Sequence, residues 1–258
     1  MKTIRLNIQY DGSRYHGWQR QPNVLTIQQL IEEAITQLSG ESVVLNGAGR
    51  TDAGVHAMDQ WAQFKTESRI PPEKWYPALN SILPGDIRIM HSEMCEPLWH
   101  ARFVPHQKTY RYTIETAQVV SPFRQAYVWH RRGDLPFVRL QAAAELVLGE
   151  HDFSAFCAAH SEVKNKVRRI AASEWRQEET RLIYSITGNG FLYNMVRLLV
   201  GFMVEIASGK RELQQMQRFL TAACQSKASF TVPPQGLCLY EIVYEEMPAL
   251  LDISTNID

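Results

Sequence analysis

The same order of strands and helices can be read twice along this 258-residue chain. In the first half, Ile4, Leu6, Ile8 and Tyr10 alternate with polar residues, as a half-buried strand requires. Ile27, Leu30, Ile31, Ala34, Ile35 and Leu38 then mark one face of a helix, with Thr26 and Gln29 as a capping box at its start. A strand over 41–46, another around Trp61–Phe64, a helix from Pro71-Pro72 toward Leu83 and a strand over Ile87–Met94 complete a β-α-β-β-α-β unit. In the second half Lys108–Glu115 alternates as a strand, and Asp134 and Pro136 start a helix that Gly149 ends. Strands near Val167–Arg176 and Arg181–Thr187, helical patterns over Phe191–Ala207 and Leu213–Ala223, and a strand over Leu237–Tyr244 follow. Two such units predict an α+β protein: two ferredoxin-like halves with largely antiparallel sheets, joined around a central cleft. The halves are expected at 1–104 and 105–247, with a loose tail at 248–258.

Between two strands of the first unit lies Gly47-Ala48-Gly49-Arg50-Thr51-Asp52-Ala53-Gly54-Val55-His56-Ala57. Its G-x-G-x-x-x-x-G spacing is neither a dinucleotide fingerprint nor a Walker loop, which needs a following Lys-Ser or Lys-Thr. The chemistry of the segment rests instead on Asp52. An aspartate in a glycine-flanked turn is commonly a turn former, but Arg50 two residues away can keep the carboxylate ionised as a nucleophile or base. A later candidate partner is Arg197, which interrupts an otherwise apolar helix and needs a carboxylate or phosphate if buried.

Three further blocks carry aromatic and basic residues. Tyr10-Asp11-Gly12-Ser13, with Tyr15, Gly17, Trp18, Gln19 and Gln21, combines a tight turn with side chains able to stack on and hydrogen-bond bases. His100-Ala101-Arg102-Phe103 precedes Lys108-Thr109-Tyr110-Arg111-Tyr112, where strand alternation puts both tyrosines on one face and Arg111 on the other. Pro233-Pro234-Gln235-Gly236-Leu237 shapes the entry to the last strand.

Lys plus Arg and Asp plus Glu both number 27, so a nucleic-acid partner would need a local basic patch. Arg102, Lys108, Arg111, Arg124, Arg131 and Arg132 face the single acid Glu115 across one such stretch; Lys164, Lys166, Arg168 and Arg169 form a second. Four cysteines lie far apart with no C-x-x-C pair, so reduced thiols and no metal site are expected. The amino terminus lacks a signal-peptide pattern, and Asn194, Arg197 and Glu205 interrupt the most apolar stretch. A cytoplasmic protein without a membrane partner is the expectation.

Five blocks in this order, Y-D-G-S-x-Y-x-G-W-Q-x-Q, G-A-G-R-T-D-A-G-V-H-A, H-A-R-F with K-x-Y-R-Y, G-N-G-F-L-x-x-M-V-R and P-P-x-G-L, resemble the TruA family of tRNA pseudouridine synthases. One departure is Val232, where the family often has Ala. The resemblance implies isomerisation of uridine in the anticodon arm of tRNA, at positions 38, 39 and 40, without cofactor or metal, by a homodimer. It makes Asp52 the essential aspartate, Tyr110 the tyrosine that stacks on the uracil and can serve as a base, Arg197 the partner of the aspartate, and Arg50 a residue that holds the backbone or helps flip the base. Residues within the five blocks expected to contact substrate are Tyr10, Gln19, Gly49, Thr51, His56, Arg102, Lys108, Arg111 and Leu237. A nucleoside glycosylase would usually need a second carboxylate, and only the turn residue Asp11 stands out. A non-catalytic RNA-binding module on such a sheet should show the aromatic RNP pattern, which is absent.

Overall fold

The computed structural model describes residues 1–158, 163–221 and 226–245. Strands β1 (Lys2–Tyr10), β2 (Asn46–Gly47), β3 (His56–Thr66) and β4 (Ile87–Cys95) alternate with helices α1 (Ile27–Ser39) and α2 (Trp75–Asn80). Then come β5 (His106–Glu115), β6 (Trp129–His130), α3 (Phe137–Glu145), β7 (Gly149–Asp152), β8 (Val167–Glu178), β9 (Arg181–Gly188), α4 (Met195–Ala207), α5 (Leu213–Phe219) and β10 (Leu237–Tyr244). The main sheet runs β4-β1-β3-β10-β5-β9-β8-β7, with β2 on β3 and β6 on β5. Each half therefore has the ferredoxin-like order, β4-β1-β3-β2 and β10-β5-β9-β8. The halves fuse where β10 runs parallel to β3, pairing Cys238 with His56 and Leu239 with Ala57.

That junction depends on a strand that hardly forms. Instead of a strand over 41–46, only Asn46 and Gly47 pair with β3. The reason lies in α1: Glu32 accepts from the Leu45 N–H at 3.0 Å, and the Gln28 amide donates to the Leu45 carbonyl at 2.9 Å. With its backbone already satisfied by helix side chains, the segment does not need a ladder. The starting end of β3 is left for β10 to occupy.

Other boundaries also differ from the sequence pattern. Thr26 precedes α1 but makes no capping bond, and its hydroxyl is buried without a partner. The helix is held instead by fully buried Ile27, Ile31 and Ile35, each contributing about 1.5–3 kcal/mol. The helix expected up to Leu83 closes at Asn80, after a single 3-10 turn at Pro72–Lys74. α3 ends at Glu145, and Gly149, at φ 97°, begins the added strand β7. α4 begins at Met195 because Asn194 is left-handed, at φ 62°. α5 ends at Phe219; the rest of its expected extent, at 222–223, and the tail at 248–258 lie outside the described residues. No helix among the described residues is long and apolar enough to cross a membrane.

Strand register sorts side chains onto two faces. Tyr110, Tyr112, Tyr184 and Leu239 share the face covered by helices, where Ser173 bonds the α3 carbonyl of Ala144 and the Trp175 indole reaches Met203 of α4. Arg111, Thr113, Ile183, Cys238 and Tyr240, with Arg88 and Met90, line a cavity of about 880 Å³.

Candidate active site

Asp52 sits in the loop between β2 and β3, held from below by the first aromatic block. The Trp18 N–H donates to the Thr51 carbonyl at 3.1 Å, and the Gly54 N–H to the Tyr15 carbonyl at 3.2 Å. Gly17, at φ 83°, is pressed so closely beneath that a Cβ there would lie 2.5 Å from the Thr51 carbonyl oxygen. Only glycine satisfies both the left-handed backbone and that approach. The Tyr10 and Thr51 hydroxyls hydrogen-bond at 2.8 Å, fixing the residue before Asp52 to β1.

Arg197, on the first turn of α4, reaches this loop from the other half of the sheet. Its Nη1 lies 3.2 Å from Asp52 Oδ2, and both side chains are 15% exposed. The guanidinium is itself aimed by the Val232 carbonyl at 2.9 Å and by Asn194 Oδ1 at 3.1 Å. Val232 thus acts through its backbone while its side chain is fully buried. The Pro233 carbonyl accepts from the Tyr112 hydroxyl at 2.8 Å, pinning the loop. Asn194 is the residue the sequence pattern missed. An asparagine at a helix start is a capping signal, but here it forgoes the cap bond and turns to Arg197.

Burial raises the Asp52 carboxyl above its ordinary range, and the Arg197 charge and hydrogen bond pull it partly back. Arg197 is the charge that acts on it, not Arg50. Arg50 is exposed and makes no ion pair among the described residues, which corrects the expectation that it flanks the carboxylate. Tyr110 lies beside Asp52 on β5, its ring edge-on to Phe191 with centroids 5.0 Å apart. Burial, with Tyr10, Asp52 and Cys238 adding, keeps its phenol protonated far past the ordinary value. At rest it offers a ring and an O–H, not a phenolate.

The remaining expected contacts divide. Lys108 shares the Tyr110 face of β5 and donates to the Ala48 carbonyl at 2.6 Å, next to Gly49. Arg102 is exposed near Lys108, and Leu237 is buried at the start of β10. Gln19 donates to Gln28 at 2.8 Å, bracing α1. Tyr10 is buried and supports Thr51. His56 is also a support: Nδ1 accepts from the Gly12 N–H at 3.1 Å, and Nε2 donates to the carbonyls of Ala126 and Gln235 at 3.1 and 3.2 Å. It stitches the two halves and has no ring nitrogen free for substrate. Arg111 stands on the opposite face from Tyr110, its guanidinium 3.4 Å from the Tyr240 ring centre, so the fold does not bring it to Asp52.

Asp11, the other acid in the motifs, is engaged elsewhere. Burial raises it, but bonds from Ser13 and Tyr127 and the nearby His56 outweigh this and hold it below its ordinary range. Asp52 thus stands as a lone carboxylate with an arginine partner, whereas glycoside-type hydrolysis calls for two carboxylates. Among the described residues no three His, Cys, Asp or Glu side chains gather into a metal-binding group.

Fold and site together give an α+β protein whose candidate centre, one carboxylate paired with an arginine, lies at the seam of two ferredoxin-like halves. The family described as tRNA pseudouridine synthase matches residues 7–104 and 143–245. The chain belongs to that family and is an isomerase acting on tRNA. It is 43% identical to the tRNA pseudouridine synthase A of Citrifermentans bemidjiense over 95% of this chain and 99% of the relative. Identity to the synthase of the same name from Caldicellulosiruptor saccharolyticus is 43%, over 95% and 100%, and to that from Shouchella clausii 42%, over 95% and 94%. Among solved structures, an archaeal box H/ACA sRNP Nop10-Cbf5 complex matches with a TM-score of 0.37 at 10% identity, over 78% of this chain and 43% of that one.

Proposed function

We propose that the protein isomerises uridine to pseudouridine in the anticodon stem-loop of tRNA, at positions 38, 39 and 40, with Asp52 as the essential carboxylate. The observation that carries this reading is the Asp52–Arg197 pair, 3.2 Å apart and formed across the two halves beside Tyr110. The target nucleotide must first leave its stack, at a cost of a few kcal/mol that phosphate contacts offset. Asp52 then attacks C1′ or the uracil ring, or assists loss of the C2′ proton. The N1–C1′ bond breaks, the uracil turns, and C5 bonds to C1′ as any bond to Asp52 breaks or the C2′ proton returns; the C5 proton leaves to solvent while N1 takes one up. The reaction is a net isomerisation with no change of oxidation state, so no cofactor is called for. Arg197 favours the ionised carboxylate, Tyr110 supplies a face for the uracil, and exposed Arg50 is the side chain free to meet the RNA backbone.

The halves divide at 104/105, and the protein works as a cytoplasmic homodimer, which cell fractionation would check. Free Cys95, Cys157 and Cys238 support a reducing compartment. The site assignment is tested by mapping pseudouridine in unmodified tRNA transcripts through carbodiimide adducts that stop primer extension. Stops at 38, 39 and 40 are expected; isomerisation confined to other positions contradicts the reading.

A further inference from the structure

Lys108 is the only lysine or arginine among the buried residues described. An ammonium carries three donors, and one of them meets the Ala48 carbonyl at 2.6 Å. No carboxylate pairs with it among the described residues. Its charged neighbours among the described residues are cations. Burial first, then Arg102 and Arg168, push the ammonium down to about 8. Among the described residues Arg168 also pairs with no acid, and donates to the carbonyls of Asn165 and Val167 at 3.0 and 2.6 Å. A buried charge is costly unless paired, and like charges nearby add to the cost.

The space around these cations is left open by glycine on two sides. A Cβ on Gly49 would stand 3.4 Å from the Lys108 ammonium, and one on Gly190 would stand 3.4 Å from Arg168 Nε. Gly49 belongs to the loop that carries Asp52. Lys108 and Tyr110 lie two residues apart on one strand face, about 6.6 Å by strand rise. That is comparable to the distance between a nucleotide's base and its own phosphate.

We propose that Lys108, with Arg102 and Arg168 beside it, receives one phosphodiester oxyanion of the RNA, a phosphate flanking the nucleotide whose base lies against Tyr110. The proposal rests on the anticodon stem-loop reading of the site. An anion there supplies the acceptor that the two unused ammonium protons lack and relieves the repulsion among three cations. Charge-assisted contacts of this kind fix the register of a nucleic acid without reading its sequence.

The test uses an anticodon stem-loop carrying a single methylphosphonate, which removes one phosphate charge, placed in turn 5′ and 3′ of the target uridine. With the native protein, one of these positions should weaken binding about tenfold, as expected for loss of a bond to a charged group. Lys108→Met should weaken binding of the unmodified RNA about tenfold, with no added penalty from the methylphosphonate at that position. Lys108→Arg should keep part of the penalty. If Lys108→Met does not fold, an Arg102→Gln, Arg168→Gln double variant carries the same comparison. An undiminished methylphosphonate penalty in the folded variants would overturn the proposal and leave Lys108 as a brace for the Ala48 carbonyl. Failure of the native protein to bind or modify the unsubstituted stem-loop would instead overturn the anticodon stem-loop reading itself.

Discussion

At the scale of single residues the site is a balance between burial and one guanidinium. Burial raises the Asp52 carboxyl and Arg197 lowers it, with burial prevailing. If the ionised carboxylate drives the reaction, activity falls as pH drops through a value above the ordinary carboxylate range. Removing Arg197 removes the lowering influence, so the acid limb moves to higher pH. Arg197→Met should also reduce kcat/KM roughly ten- to a hundredfold, the equivalent of the about 1.5–3 kcal/mol carried by a bond to a charged group. The pH dependence of kcat/KM for both proteins checks this, and an unmoved acid limb would separate Arg197 from the ionisation of Asp52. Tyr110, held protonated by burial, fits a role through its ring and O–H before any role as a base.

At the scale of elements, the loop carrying Asp52 is positioned by what lies beneath it. Gly17→Ala forces a Cβ against the Thr51 carbonyl at 2.5 Å as well as an unfavourable φ, and should cost about 1–3 kcal/mol of stability and reduce turnover. Gly40→Ala shares the positive φ but meets nothing within 4 Å, so it should lower stability alone. Thermal melts and single-turnover rates distinguish the two; equal losses of rate would contradict this account of the loop. Much of this architecture was legible in sequence because alternation survives in β1, β5 and β9, and it even assigned Arg111 to the face away from Tyr110. The 41–46 strand was misread because its apolar valines and leucine fit a ladder, while the deciding bonds come from Glu32 and Gln28. The parallel β3–β10 junction rests on two residue pairs about 180 positions apart, and no local pattern encodes it. In sequence Asn194 reads only as a break in the apolar stretch, because its left-handed backbone and its bond to Arg197 appear only once α4 is placed.

At the scale of the whole molecule, the fused sheet puts Asp52 and Arg197 on separate halves, so the site exists only while the β3–β10 junction holds. The face lined by Arg111, Ile183 and Tyr240 leaves Met58 and Met90 about half exposed, a surface that a second copy could cover. Sedimentation should give twice 29.6 kDa for the proposed homodimer, and a monomer at micromolar concentration would contradict it. The proposed work of Asp52 is isomerisation and not base removal. Its most direct test supplies unmodified tRNA transcripts labelled with tritium at uridine C5. The native protein should release tritium, and Asp52→Ala should lose that release on the order of 10³-fold or more, with tRNA binding largely retained. Normal release by Asp52→Ala, or free uracil and abasic sites as the main products of the native protein, would contradict it.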